Sequence, residues 1–263
     1  MTAPALTEFS RPDLTAIAPR PKAAPDANAS LVARDPLTPT LARFTVRPDR
    51  GSLPFVAGQY VQVRSMDPLT PPRPYSIASP PGARDIELLV SLVHGGAVTP
   101  RLFGLPLGSR LFVGAPAGRF RLERDDDRDH LLVATGSGIA PLLSMAAELG
   151  ARPRPPRTVL LHGVRIEEEL AGRTLLSRFD GTWLAYWPTL SRPRDGGGWR
   201  GLTGRVGDHL RDLLAAHGFA HHHMVAYLCG NPSMIADCEV QLMGMGAPAT
   251  SIRTERFTAA TSD

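Results

Sequence analysis

The stretch "VATGSGIAPLL" (Val133–Leu143) decides the fold of the second half of the chain. An apolar run ends at Gly136 and Gly138, and a helical pattern starts directly after them. Glycines between a strand and a helix allow a tight turn, and the first amides of the helix can then face an anion such as a pyrophosphate. A glycine-rich turn between a strand and a helix often binds no ligand, so this stretch alone does not decide between an anion site and a simple turn.

Strand and helix patterns alternate around this turn. Near-continuous apolar runs predict buried strands at "HLLVATG", "RTVLLHGVR", "WLAYWPTL" and "MVAYLCG", with a last strand at "ATSIRTERF". Helical spacing is found in "IAPLLSMAAELG", "EEELAGRTLLSRF", "VGDHLRDLLAAHG" and "PSMIADCEVQLMGMG". Strands that alternate with helices indicate a doubly wound parallel sheet, which we assign to residues 125–263.

The first half has a different pattern. The short segments "LARFTVR", "AGQYVQVRS", "DIELLVSLVH" and "SRLFVGA" alternate apolar and polar residues between turn residues. They predict a small antiparallel β-barrel or sandwich over residues 31–124. Residues 1–30 are rich in Ala and Pro without apolar periodicity, which predicts a flexible leader.

The composition of the chain excludes several classes of function. The 263 residues are 43% hydrophobic and 21% charged, and all but one of the 29 basic residues are arginine, which gives a net charge of +4. No apolar run is long enough to span a membrane, and no signal core is visible, so we expect a cytoplasmic protein. Two cysteines are too few for an iron–sulfur cluster. Nucleic-acid-binding signatures are absent, and the adjacent histidines 221–223 cannot converge on one metal ion, so we expect neither nucleic acid nor metal.

A second strand-to-helix junction, "YLCGNPSM", and three arginines follow other predicted strands. In a doubly wound sheet, ligands bind beyond the carboxyl ends of the strands, so both glycine junctions can flank one cleft. Arg165, Arg192 and Arg205 each come after a strand. Guanidinium groups bind phosphate, although in so arginine-rich a chain any one of them can be a surface residue.

The proline-rich stretch "PPRPYSIASPPG" holds an arginine, a tyrosine and serines in a stiff, non-helical backbone. Together with the other motifs it resembles the ferredoxin–NADP reductase family of the bacterial type. "RPYS" resembles the flavin motif Arg-x-Tyr-Ser, "GGAVTPRL" the diphosphate turn, and "GSGIAP" the nicotinamide-side pyrophosphate loop. "CGNPSM" resembles the Cys-Gly-x-x-x-Met segment, "HGVR", "SR" and "TGR" the site of the NADP 2′-phosphate, and "TERF" the acidic–x–aromatic ending. The motifs follow the family order from Leu41 to Phe257.

The resemblance implies a set of site residues. Ser76, Cys229 and Glu255 would be catalytic: the serine near the flavin, the cysteine beside the nicotinamide without acting as a nucleophile, and the glutamate tuning charge or proton supply. The expected cofactor-binding residues on the flavin side are Arg73, Pro74, Tyr75, Ser76, Thr99 and Phe257. Those on the coenzyme side are Gly136, Gly138, Pro141, Arg165, Ser191, Arg192, Arg205, Gly230 and Met234. Many family members have Tyr or Trp at the position of Phe257, and this chain adds the tail "TAATSD".

The expected function follows from the resemblance. The chain would bind FAD and NADP(H), transfer hydride between them, and exchange single electrons with a separate acidic carrier, a ferredoxin or a flavodoxin. Alternatives are the reductase component of an oxygenase system, an NADPH-dependent flavin reductase, and a flavin-binding coupling subunit without NADPH turnover. We expect a monomer.

Overall fold

A computed structural model describes residues 26–67, 70–176, 179, 183–194 and 196–257, without the side chain of Arg173. Most of the predicted leader and the tail "TAATSD" lie outside the described residues. The first strand starts at Ala29, which is fully buried, so the ordered barrel reaches two residues into the predicted leader.

The first half is an antiparallel barrel. Its strands are β1 (Ala29–Thr38), β2 (Leu41–Pro48), β3 (Tyr60–Ser65), β4 (Arg73–Ser76), β5 (Ile86–Ser91) and β6 (Arg110–Val113), and helix α1 (Thr99–Gly104) precedes β6. They form one sheet in the order β4-β3-β6-β1-β2-β5. A bridge between Ile77 and Leu88 joins the two ends of this order and closes the barrel. The prediction of an antiparallel barrel is confirmed.

The stretch that contains Arg73 and Tyr75 is an extended strand. Strand β4 pairs with β3, and its residue exposure changes from exposed at Arg73 to buried at Ser76. Proline favours this extended backbone and disfavours a helix. The strand therefore carries Ser76 inward while Arg73 stays at the surface.

The second half is a parallel sheet covered by helices on both faces. Its strands are β7 (Asp129–Thr135), β8 (Thr158–Val164), β9 (Leu184–Leu190), β10 (Leu202–Thr203), β11 (Met224–Gly230) and β12 (Ile252–Arg256). Its helices are α2 (Ile139–Gly150), α3 (Gly172–Leu176), α4 (Leu210–Ala216) and α5 (Pro232–Gly244). The order β10-β9-β8-β7-β11-β12 is that of a doubly wound sheet, as predicted.

The hydrophobic core divides between the two faces of this sheet. Helices α2 and α3 pack on one face and helices α4 and α5 on the other. The predicted helix at "EEELAGRTLLSRF" begins later in the structure, with a 3-10 turn at Glu167–Glu169 before α3. Helix α3 begins only at Gly172, and because glycine is a poor helix former the helix does not extend back through the preceding residues as the pattern predicted.

The two halves share one core and several polar contacts. The cluster around α2 includes Leu41 and Phe120 of the barrel half. The Ser144 hydroxyl in α2 donates to the Ser79 carbonyl at 2.7 Å, a buried hydrogen bond between the halves. The hydroxyl of the fully buried Tyr227 accepts the Glu123 N–H at 3.1 Å. These contacts pack the two halves against each other.

Within the part of the chain that the structure describes, no helix combines the length and apolar character needed to cross a membrane.

Candidate functional site

Three residues from distant parts of the chain meet between the two halves. Ser76 ends β4, Cys229 lies near the end of β11, and Glu255 is its register partner in β12. The Ser76 hydroxyl donates to Glu255 Oε2 at 3.1 Å, and the Cys229 thiol lies 3.9 Å from the same oxygen. The predicted catalytic residues thus form one cluster, which we call the carboxylate cluster. Their catalytic roles stay a prediction.

Burial controls protonation in the carboxylate cluster. Burial raises the pKa of Glu255 above its ordinary value, and the hydrogen bonds from Ser76 and Cys229 offset part of this rise. Burial and the adjacent Glu255 raise the pKa of the Cys229 thiol well above its usual value. Because nucleophilic attack needs a thiolate, Cys229 is suited to contact and hydrogen bonding instead.

Tyr60 and Gly118 form a wall beside Glu255. Tyr60 is the register partner of Ser76, and Gly118 has a left-handed φ of 107°. A Cβ at Gly118 would lie 3.1 Å from the Tyr60 ring and 3.9 Å from Glu255 Oε1. Glycine is therefore needed here for both backbone conformation and space. Neither residue was singled out from the sequence, although the glycine in "PAGRF" was a weak signal.

The predicted flavin-side residues lie on β4 and at the start of α1. The Tyr75 ring is partly buried against the barrel core, and burial raises the pKa of its hydroxyl to about 12. Arg73 and Pro74 are exposed, and Arg73 forms no ion pair with any described residue. The Thr99 hydroxyl accepts the Val93 N–H at 2.8 Å, which fixes the turn after Gly95. These side chains offer a cation without a carboxylate partner among the described residues, an aromatic ring and a hydroxyl on one half of the molecule.

The two glycine junctions contact each other directly. A Cβ at Gly138 would lie 2.4 Å from the Cys229 carbonyl oxygen and 2.9 Å from Gly230 Cα. A Cβ at Gly136 would meet nothing within 4 Å, and its φ is 54°. The Thr135 hydroxyl accepts the Asn231 N–H at 2.9 Å and so ties the loop after β7 to the loop after β11. The structure thus joins the two predicted loops at the edge of the sheet and leaves open space beside Gly136.

The remaining residues near these loops are partly structural. The Asn231 side chain caps α5 by accepting the Ser233 and Met234 amides, with Pro232 in the first turn. Met234 packs half-buried against the core under α5, and Pro141 is buried in the first turn of α2. The Phe257 N–H donates to the Gly230 carbonyl at 2.8 Å, and its ring packs against the core shared by the halves.

The three arginines lie along one sheet edge. Arg165, Arg192 and Arg205 follow the neighbouring strands β8, β9 and β10, and all three are exposed. The Arg192 N–H donates to the Arg165 carbonyl at 2.8 Å. Among described residues, Arg192 and Arg205 form no ion pair, whereas Arg165 pairs with Glu169 at 3.6 Å. We call these residues and the exposed Ser191 the arginine edge.

Three further residues, which the sequence did not indicate as site residues, hold the loops of this site in place. Thr135 and Asn231 join the loops, and the buried His162 bonds to the Gly136 carbonyl. Asn231 before a proline is a helix-start signal. The other two lie within the motifs "VATGSG" and "HGVR", yet only the folded structure reveals their partners.

The histidine run forms a short 3-10 turn over His221–His223 before β11. Within the described ranges, no group of three or more His, Cys, Asp or Glu side chains is placed to hold a metal ion.

Two family models match the chain. The oxidoreductase FAD-binding domain matches residues 29–122, and the oxidoreductase NAD-binding domain matches residues 132–239. Ferredoxin–NADP reductase B of Sorangium cellulosum is 32% identical over 239 residues, which cover 87% of this chain and 96% of that protein. The chain belongs to the ferredoxin–NADP reductase family. Its halves are an FAD-binding and an NAD-binding domain, as the resemblance implied.

The chain also matches a longer relative. The phenol hydroxylase P5 protein of Acinetobacter pittii is also 32% identical over 239 residues, which cover 89% of this chain and 66% of that protein. This chain thus spans slightly less than two thirds of that relative's length.

A ferredoxin–NADP+ reductase from Neisseria gonorrhoeae, solved with bound FAD and NADP, has the same fold. It superposes with a TM-score of 0.76 at 24% identity, and the match covers 87% of this chain and 97% of that one.

Proposed function

We propose that this reductase transfers hydride between NADPH and FAD and exchanges single electrons with a separate ferredoxin or flavodoxin. Bound FAD supplies the step from two-electron to one-electron transfer. Residues 31–124 would hold FAD, and residues 125–263 would hold the coenzyme. The observation that carries the proposal is the carboxylate cluster, in which Ser76 of the FAD-binding half bonds to Glu255 of the NAD-binding half.

The residues on β4 and α1 fit FAD. Arg73 has no carboxylate partner among the described residues, so its guanidinium is available for the flavin diphosphate. Thr99 keeps a hydroxyl hydrogen to donate, because its oxygen already accepts from Val93. Tyr75 would lie against the ring, since an aromatic face supplies stacking energy.

The carboxylate cluster would position and hold a proton. Glu255 has a raised pKa and accepts from Ser76, so it can take up or release a proton nearer to neutrality than an exposed glutamate. The Cys229 thiol stays protonated and orients the same carboxylate. The wall of Tyr60 and Gly118 limits the space around this group.

The arginine edge would select NADPH over NADH. Arg192 and Arg205 have no ion pairs within the described chain, so their charges are available for the 2′-phosphate. The Ser191 hydroxyl, which donates to the Val164 carbonyl at 3.4 Å, would turn to donate to the phosphate instead. Arg165 would contribute less, because it already pairs with Glu169.

A second candidate is the reductase component of an oxygenase system. The phenol hydroxylase relative has the same identity to this chain as the ferredoxin–NADP reductase relative. The two candidates share the hydride step and differ in the electron acceptor.

The acceptor is tested with the purified, FAD-loaded protein and NADPH. We expect fast reduction of an acidic ferredoxin or flavodoxin, which slows as salt rises because steering between charged surfaces is screened within about 10 Å at 0.1 M. Reduction of a small dye should change less. Fast reduction of added free FMN without reduction of a protein carrier would contradict the proposal and favour a flavin reductase. Equal salt dependence for carrier and dye would contradict the steering of the partner by charge.

A further inference from the structure

A buried histidine holds the first glycine of the dinucleotide loop. His162 lies in β8 and is only 1% exposed. Its Nε2 lies 2.9 Å from the Gly136 carbonyl oxygen, and its Nδ1 lies 3.2 Å from the Tyr186 hydroxyl. The ring thus bridges the loop after β7 and the neighbouring strand β9.

The partners fix how this ring is protonated. Burial lowers the pKa of His162 to about 4, so the imidazole is neutral at physiological pH. A neutral imidazole has one N–H, and a carbonyl oxygen can only accept. The proton is therefore on Nε2 and is donated to Gly136, while Nδ1 accepts from the Tyr186 hydroxyl.

The first residue of helix α3 packs against this ring and its tyrosine partner. A Cβ at Gly172 would lie 1.8 Å from the Tyr186 hydroxyl oxygen and 3.2 Å from His162 Nδ1. Helix α3 thus closes directly over this pair. The Gly136 carbonyl also accepts the Ile139 N–H, so its peptide is held from both sides.

We propose that His162 is a positioning residue for coenzyme binding, which holds the peptide after Gly136 so that the loop amides face the coenzyme pyrophosphate. The inference rests on the proposed function, since it takes the loop between β7 and α2 as the pyrophosphate site. Gly136 has a φ of 54°, a left-handed conformation that glycine adopts in many kinds of turn. Because its carbonyl oxygen is held, the peptide after Gly136 is restricted to one orientation. The residue does not touch the reacting atoms.

Three variants separate positioning from simple core packing. His162→Gln keeps a donor at the place of Nε2, whereas His162→Met fills similar space without a donor. Tyr186→Phe is the matched control: it removes the hydrogen bond to the same ring but leaves the bond to Gly136. The probes are NADP+ binding by calorimetry, amide hydrogen exchange of residues 135–139 without coenzyme, and thermal unfolding, all with the FAD-loaded protein.

We expect His162→Met to weaken NADP+ binding about three- to tenfold, which corresponds to one neutral hydrogen bond. Exchange in the loop should speed up in the same variant, while kcat for NADPH falls less than KM rises. His162→Gln should restore binding to within about twofold, and Tyr186→Phe should leave it near wild type. Equal losses in the Met and Gln variants, or unchanged loop exchange in the Met variant, would overturn the assignment. Wild-type protein that binds no NADP+ would instead overturn the proposed function, and the exchange data would still decide whether His162 holds the loop.

Discussion

The carboxylate cluster and the arginine edge lie at the same end of the parallel sheet but differ in burial. Glu255 is half-buried beside the buried Ser76 and Cys229 and has a raised pKa. Arg192 and Arg205 stand in solvent without an ion pair to a described residue. Burial shifts the pKa of a titratable group and fixes its position. Exposed charges instead act mainly through long-range attraction and a few hydrogen bonds.

This difference assigns the two regions to different tasks. A side chain that acts at the reacting bond needs a fixed position and a shifted pKa, and burial provides both. Recognition of a phosphate on a mobile coenzyme needs accessible charge, which exposure provides. Variants in the first region should therefore affect NADPH and NADH alike, and variants in the second should affect NADPH alone.

The largest effect is expected for Glu255→Gln. Loss of a proton-transferring group typically lowers the rate about 100-fold or more, so carrier reduction should fall by about 100-fold with either coenzyme. Steady-state kinetics with NADPH and NADH measure this effect. Glu239→Gln is the control, because it removes a surface carboxylate that pairs with Arg256. A loss confined to NADPH would contradict the assignment of the cluster.

Removal of Arg192 or Arg205 comes next. A charge-assisted hydrogen bond contributes about 1.5–3 kcal/mol, so Arg192→Ala and Arg205→Ala should raise KM for NADPH roughly ten- to hundredfold. NADH kinetics and the flavin spectrum should barely change, because NADH lacks the phosphate. The exposed Arg211, in α4, offers Arg211→Ala as a matched loss of charge. Equal losses for both coenzymes would show that these arginines are not the 2′-phosphate site.

A smaller effect on folding separates the two loop glycines. Gly138→Ala places a Cβ against the backbone of Cys229 and Gly230, which cannot move away cheaply. It should lower the free energy of unfolding by about 1–3 kcal/mol. Gly136→Ala meets open space and should cost only the left-handed backbone, about 1 kcal/mol. Urea unfolding of both variants measures the difference, and a larger loss for Gly136→Ala would contradict the contact between the loops.

The smallest effect is a pH-dependent change in stability at Glu255. Burial raises the pKa of this carboxyl in the folded protein, so its ionisation disfavours folding as pH rises through that pKa. Glu255→Gln should therefore unfold at a higher temperature than wild type near pH 8, and the gap should close below about pH 4, where an unfolded glutamate is protonated. Thermal unfolding of the flavin-loaded proteins across this range tests the sign. A gap that widens in acid would contradict it.

The sequence predicted the fold and the residues of the site better than it predicted the contacts between those residues. Strand alternation and glycine junctions predicted a barrel followed by a doubly wound sheet, because both patterns depend on local spacing. The bond between Ser76 and Glu255 crosses 179 positions of the chain, and spacing alone cannot predict it. The family resemblance placed both residues at the active centre, but the structure was needed to reveal their hydrogen bond.

Features that depend on tertiary contact were missed. In the sequence, His162 is only a residue of a predicted buried strand and of the motif "HGVR". Its hydrogen bond to Gly136 depends on β8 lying beside the loop after β7. The short strand β10 has two residues and gives no periodic signal. The start of helix α3 was predicted too early, because the helical pattern continues back through Glu167–Glu169, which form a 3-10 turn ahead of Gly172.

The most direct measurement is anaerobic stopped-flow reduction of the bound flavin by NADPH and by NADH, in wild type, Glu255→Gln and Arg205→Ala. We expect wild type to be reduced much more efficiently by NADPH. Arg205→Ala should lose efficiency only with NADPH. Glu255→Gln should lose rate with both coenzymes by the same factor, because the hydride step loses the carboxylate that accepts from Ser76 and holds its hydroxyl in place. Wild-type preference for NADH, or a loss in Arg205→Ala shared equally by the two coenzymes, would contradict the division of tasks between the buried carboxylate cluster and the exposed arginine edge.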